Sequence, residues 1–296
     1  MSDAMEEFVL DTRSVRRSFD RAAAGYDSAA VLQAQVRGEL LERLHLMSIS
    51  PGVVLDAGAA TGHASRALKG RYPGARVIAL DASLQMLLLA ARQRGWLRRF
   101  SRVCADAQCL PLANGSVDLI VSSLMLHWCD PDDALSEFRR VLAPRGLLCF
   151  STYGPDTLCE LRSAWAQVEA APHVHAFLDM HDVGDAMVRA GFVSPVLDVE
   201  RYTLSYTDCR KVAADLRATG ACNAARARHK GLSSPRKFAA MQAAYEKFRQ
   251  DGRLPATYEV VFAHAWAPAP EERRRPQTAE VSLEEIKRQL KLQRGR

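Results

Sequence analysis

Val53 to Gly62 reads VVLDAGAATG. A short apolar run, Val53-Val54-Leu55, ends in Asp56 and breaks into small residues. These lead into a helical pattern at Ala64-Ser65-Arg66-Ala67-Leu68. A second apolar run, Val77 to Leu80, ends in Asp81, and a third element ends near Asp106. The three acids stand 25 residues apart, about the length of one strand-helix repeat. Such spacing predicts a doubly wound α/β sheet whose strand ends form one crevice.

Working outward, Val31, Leu32, Val36, Leu40, Leu41 and Leu44 recur at helical spacing. Pro51-Gly52 punctuates the chain before the first strand. The pattern then predicts strand 53–56, helix 63–70, strand 76–80, helix 83–93 and strand 101–104. Strand 117–121, helix 131–142 and strand 146–152 follow. This alternation predicts a parallel sheet with helices on both faces. Beyond Tyr153 the rhythm changes. Asp156 to Ala170 and His181 to Ala190 read as helices, the second stopped by Gly191. Val196 to Ser205 and Tyr258 to Trp266 read as strands, with a helical stretch over 207–251 between them. That stretch holds ten Lys/Arg against four acids, so it carries +6 by itself. The expected organisation is an N-terminal arm over 1–50, a domain over 51–268 and a charged tail over 269–296. Helical insertions fall near 154–192 and 207–251. In the tail, Ser282-Leu283-Glu284-Glu285 has the form of a capping box for a short helix.

Composition is that of an ordinary globular chain, 48% hydrophobic and 25% charged over 296 residues. No apolar run approaches the roughly 20 residues that span a bilayer. The acidic start, MSDAMEEF, lacks a signal core. Seven scattered cysteines without a C-x-x-C pair read as reduced thiols, and their spacing supports no metal site. The expectation is a cytoplasmic protein. A net charge of +6 favours acidic partners. Nucleic acid fits poorly, because aromatics are not interleaved with the basic run.

The crevice chemistry narrows the ligand. A dinucleotide loop would read G-x-G-x-x-G, whereas this one is Gly58-Ala59-Ala60-Thr61-Gly62. Asp81, ending the second strand, suits a bidentate hydrogen bond to ribose hydroxyls, and Asp106 beside Ala107 suits an adenine amino group. Asp56 beside the loop suits a cation better than a phosphate. Three acids around a nucleoside point to S-adenosylmethionine, whose sulfonium and ammonium are positive.

At these residues the chain resembles the class I S-adenosylmethionine-dependent methyltransferases. VLDAGAATG is similar to their D-x-G-x-G-x-G loop, with Ala60 where the middle glycine is usual. The resemblance implies a Rossmann-like seven-stranded sheet with helical insertions. It implies a cofactor set of Asp56, Gly58, Ala60, Gly62, Asp81, Ala82, Met86, Asp106, Ala107 and Leu124. SFDRAAAGYD, STYGPDTLCELRSAW, FLDMHDVGDAMVRAGF, PVLDVERYTLSY and LPATYEVVFAHAWAP further resemble the malonyl-acyl-carrier-protein O-methyltransferase family of biotin synthesis. That resemblance spans roughly residues 15 to 268. It implies methylation of the free carboxyl of a malonyl thioester, the ester masking a charge so that fatty-acid enzymes can elongate the chain.

A malonyl carboxylate is already ionised at pH 7, so no general base is required. Catalysis then rests on alignment and exclusion of water. Tyr26 in the arm, His127 with Trp128 after the fourth strand, and Tyr153 are the positioning candidates. The family often carries Gln at the position of His127, and Arg where HVHAF here has Ala176. Arg162 and Arg201 are the candidates to hold the substrate carboxylate instead. The basic 207–251 face suits docking of an acidic acyl carrier protein. Two other readings stay open: methylation of another small acid or quinone precursor, and a non-catalytic assembly factor on the same fold.

Overall fold

The computed structural model describes residues 10–93, 99–226, 228, 231 and 234–269. Lys230, the tail from residue 270 and its expected helix at Ser282 to Glu285 lie outside the described residues. Three helices, α1 (Thr12–Ala22), α2 (Tyr26–Ala29) and α3 (Val31–Arg43), precede β1 (Val53–Ala57). Next come α4 (His63–Arg71), β2 (Arg76–Asp81), α5 (Leu84–Gln93), β3 (Ser101–Cys104) and β4 (Val117–Ser123). They are followed by α6 (Pro131–Val141), β5 (Leu142–Tyr153), α7 (Cys159–Ala166), α8 (Met180–Arg189) and β6 (Val193–Tyr206). The last described elements are α9 (Cys209–Ala218), α10 (Pro235–Tyr245) and β7 (Leu254–Trp266).

The sheet is seven-stranded, in the order β3-β2-β1-β4-β5-β7-β6. Strands β1 to β5 pair in parallel, as expected, but β7 runs antiparallel between β5 and β6. Tyr206 pairs with Leu254, so the chain leaves β6 and re-enters β7 at neighbouring points. The second insertion is therefore a hairpin connection enlarged by α9 and α10, and a hairpin can only return antiparallel.

Both sheet faces are covered, which is why the strands read as continuous apolar runs. Val54, Val77, Leu119 and Val121 face one core with Leu32, Val36, Leu40 and Leu44 from α3 and the turn after it. Each such buried side chain contributes roughly 1.5–3 kcal/mol. Leu55, Ile78, Leu80 and Ile120 face the other core, under Leu135 and Phe138 of α6 and Val183 and Met187 of α8. Helix α6 starts where Asp130 caps the Asp132 and Asp133 N–H groups and Pro131 fixes the first turn. Helix α8 stops at Gly191, φ +85°, whose N–H bonds Val188 O while Phe192 N–H bonds Met187 O.

Two helical expectations shorten. The helix expected over Asp156 to Ala170 is only Cys159–Ala166, because Leu158 sits at φ +54° and breaks the ladder ahead of it. Among its described residues, the 207–251 stretch holds two α-helices, α9 and α10, and a single 3-10 turn at Glu246–Phe248, rather than a nearly continuous helix. Gly220 at φ +74° ends the first turn region with Phe19 packed where a side chain would stand.

Candidate active site

The strand order reverses between β1 and β4, so the crevice opens over the carboxyl ends of β1 to β4. A cavity of about 280 Å³ lies there. Of the expected cofactor residues, Gly58, Ala60, Asp81, Ala82, Met86, Asp106, Ala107 and Leu124 line it. The loop after β1 takes three positive φ values, +78° at Gly58, +45° at Ala60 and +84° at Gly62. Ala60 thus adopts the conformation its glycine counterpart would take freely, at a cost of roughly 1–2 kcal/mol. Its N–H donates to Asp81 Oδ2 at 2.8 Å, and the Ser83 N–H donates to Oδ1 at 2.8 Å. Both carboxylate oxygens are fixed by backbone, with lone pairs left for a ligand.

Asp56 and Gly62 do not line the cavity. Gly62 caps α4 and rests against Ala90 and Phe100. Asp56 is 1% exposed beneath the loop and accepts the Ser65 hydroxyl at 2.5 Å. Its charge reaches a ligand only through space, which corrects the expectation of a carboxylate beside it. Burial raises the Asp56 carboxyl to about 6, with the Ser65 bond opposing and Asp81 adding to the rise. Burial likewise raises Asp81 to about 6, against the Ser83 and Ala60 N–H groups.

A folded-state value above the unfolded one means the charged form opposes folding. For Asp56 the penalty is absent below about pH 4 and complete above about pH 6, where it reaches about 3 kcal/mol. Asp56→Asn keeps an acceptor for Ser65 and removes the charge. Urea unfolding should show the variant gaining up to about 3 kcal/mol on the parent between pH 4 and pH 7.5. An identical difference at both pH values would contradict this account.

The arm forms the outer wall. Arg13, Arg16 and Phe19 of α1 line the cavity, as does Tyr26. Ser83 Oγ donates to Asp20 Oδ1 at 2.6 Å, and Thr61 Oγ1 donates to Asp27 Oδ1 at 2.6 Å. His63 Nε2 stands 3.2 Å from Asp27 Oδ2. At its start the arm is held by Asp11 N–H on Ala224 O at 2.9 Å and by a bridge between Leu10 and Ala225. Burial raises the Tyr26 hydroxyl above the usual phenol range, reinforced by Asp81, so it stays protonated. Helix α1 was not among the expected elements, although the Asp11 cap and the spacing of Val15, Phe19 and Ala22 mark it.

A second chamber, about 460 Å³, adjoins the first, and Trp128 lines both. His127 and Tyr153 line this chamber and not the cofactor cavity, so the three positioning candidates divide between the two spaces. Their rings stand 4.4 Å apart between centroids. Phe177, His175 and Tyr258 continue the aromatic wall. Burial pushes the Tyr153 hydroxyl well up and the His127 imidazole well down. Neither expected carboxylate-holding cation lines either chamber. Arg201 pairs with Asp156 at 2.5 Å, and Arg162 donates to Pro155 O and Thr157 O. Ala176 lies against a neighbouring groove.

A family model described as a methyltransferase domain matches residues 55–150. A malonyl-acyl-carrier-protein O-methyltransferase of Methylovorus sp. is 52% identical over 270 residues, covering 89% of this chain and 91% of that protein. The chain belongs to the malonyl-acyl-carrier-protein O-methyltransferase family. A second member, from Laribacter hongkongensis, is 52% identical over 91% of this chain and 94% of its own. Among solved structures, the fold matches a Haemonchus contortus phosphoethanolamine N-methyltransferase bound to S-adenosylhomocysteine. The TM-score there is 0.54 at 16% identity, covering 86% of this chain and 60% of that one. Among the described residues, no helix of this family member is long and apolar enough to cross a membrane.

Proposed function

We propose that this chain transfers the methyl group of S-adenosyl-L-methionine to the free carboxylate of malonyl-acyl-carrier protein. In a chain of this family, the observation that carries the reading is the meeting of two cavities at Trp128, one whose lining suits a nucleoside and one aromatic. The donor set of the first fits the cofactor. Asp81 would hold the ribose diol and Asp106 the adenine amino group, with Ala82, Met86 and Ala107 against the purine. Asp56, Asp81 and the Tyr26 ring suit a cationic centre. When bound, the cofactor supplies an electrophilic methyl on positively charged sulfur. The protein's own share is to bind, align and dry the reacting pair. Mass spectrometry of malonyl-acyl-carrier protein after incubation with enzyme and cofactor should show the gain of one CH₂. An unchanged mass would overturn the assignment.

The acyl carrier protein would dock on the basic face of the second insertion. Arg210, Lys211, Arg217, Arg226, Arg236 and Lys247 are exposed there, and Arg217 lies at the second chamber. Charged faces chiefly raise association rates. Replacing Arg210, Lys211 and Arg236 by glutamine should lower kcat/KM for the carrier substrate about tenfold at low salt. The same change should leave malonyl-CoA within about twofold. Equal slowing of both substrates would argue against docking on this face.

A further inference from the structure

Two buried ring nitrogens, Nδ1 of His127 and Nε2 of His175, lack a hydrogen-bond partner. Leaving such a group unpaired costs about 1–3 kcal/mol, and native proteins leave few of them. Here two lie together. The rings are nearly parallel, 19° between planes and 6.5 Å between centroids. Both line the second chamber, and both pack on Trp128, at 5.1 and 5.0 Å. Trp128 is also the wall of the cofactor cleft. His127 is set by the single turn Leu126–Trp128 after β4, and His175 is 6% exposed with Phe177 4.6 Å away. Burial holds both rings neutral near pH 7, with His175 adding to the drop at His127 and the nearby Arg162 charge helping to push His175 down to about 4. Among the described residues, the Lys or Arg that lines this chamber is Arg217, exposed at its edge.

We propose that His127 and His175 are the acceptor-binding pair, neutral N–H donors that hold the oxygens of a short malonyl-type thioester beside the cofactor cleft. This deepens the proposed function and rests on it. The chemistry favours neutral donors over a guanidinium. An anionic oxygen attacks a cationic sulfonium, so both charges fade as the O–C bond forms and the C–S bond breaks. The sulfur keeps the electron pair, and no proton moves, so neither histidine serves as a base. A fixed cation would stabilise the reactant carboxylate more than the transition state, and only differential binding speeds the step. Neutral donors orient the oxygen and then release an uncharged ester.

The test uses the full-length enzyme with S-adenosylmethionine and malonyl-CoA. His127→Phe and His175→Phe keep a ring and delete the nitrogens, whereas His127→Gln and His175→Gln keep a neutral donor. Each Phe variant is expected to raise KM for malonyl-CoA by at least about tenfold, with each Gln variant within about threefold of the parent. Calorimetric Kd for the cofactor should stay within about twofold throughout. With cofactor saturating, KM of the parent should be flat from pH 7 to 8, above the range where Asp56 and Asp81 titrate, because neither ring titrates there. A parental KM in the Phe variants overturns the proposal. So does a KM that climbs steeply across that pH range, or loss of cofactor binding in the Phe and Gln variants alike. A parent that binds cofactor but methylates neither malonyl-CoA nor the carrier substrate instead overturns the proposed function, and this pair with it.

Discussion

Replacing Asp81 with alanine is expected to weaken S-adenosylmethionine binding on the order of 100-fold, read as Kd by calorimetry. Two charge-assisted hydrogen bonds to a ribose diol are each worth roughly 1.5–3 kcal/mol. The carboxylate also fixes the loop, since its oxygens accept the Ala60 and Ser83 N–H groups at 2.8 Å. Alanine removes the ligand contact and frees the positive-φ turn at Ala60 together. Asp81→Asn keeps one acceptor and the shape, so its loss should be nearer tenfold. Binding should also tighten as pH rises from 5 to 7, because the half-buried carboxyl titrates near 6 and its ionised form is the better acceptor. An unchanged Kd in Asp81→Ala, with thermal unfolding showing an intact fold, would remove this residue from the cofactor site.

Gly62→Ala should destabilise the fold by about 3 kcal/mol, measured by urea unfolding. The residue holds φ +84°, and an added Cβ would stand 2.9 Å from Ala90 Cβ and 3.1 Å from Phe100 Cζ. Left-handed backbone costs an alanine about 1–2 kcal/mol, and forcing atoms into a packed contact adds about 1–3. The strain falls where the start of α4 meets α5, so little can yield. Gly38 is the control. It lies inside α3 with nothing within 4 Å of its would-be Cβ, so Gly38→Ala should stabilise by up to about 1 kcal/mol. Equal effects at the two glycines would refute the packing argument.

The Rossmann-like core was legible because its signals are local. Asp56, Asp81 and Asp106 each follow an apolar run, and strands buried on both faces declare themselves by continuous hydrophobicity. The place of β7 was not, since nothing near Tyr258 says which strand it joins. Asp56 shows a second limit. Its position at a strand end is readable, but whether its side chain points into the cleft or under the loop depends on Ser65, nine residues on. That Arg162 and Arg201 line neither chamber has the same origin. Their partners Pro155, Thr157 and Asp156 are fixed by tertiary packing around β7, where Glu259 accepts the Asp156 N–H. His175 carried no periodic or motif signal, and only the folded aromatic wall gives it meaning.

The stitched arm has a consequence for timing. A nucleoside lodged between α1 and the sheet, as proposed, would be walled in by Asp20 on Ser83, Asp27 on Thr61 and the Phe19 ring set edge-on, 5.4 Å from Trp128. Each contact is worth only about 1 kcal/mol, yet several must part before the ligand can exchange. Residence time is then a property of local unfolding of residues 10–30 rather than of the loop that grips the ligand. The arm's start is tied to Ala224 and Ala225, on the same insertion that carries the exposed basic residues of the proposed docking face. A partner docked there, as proposed, would bear on the same segment that walls the cofactor cleft.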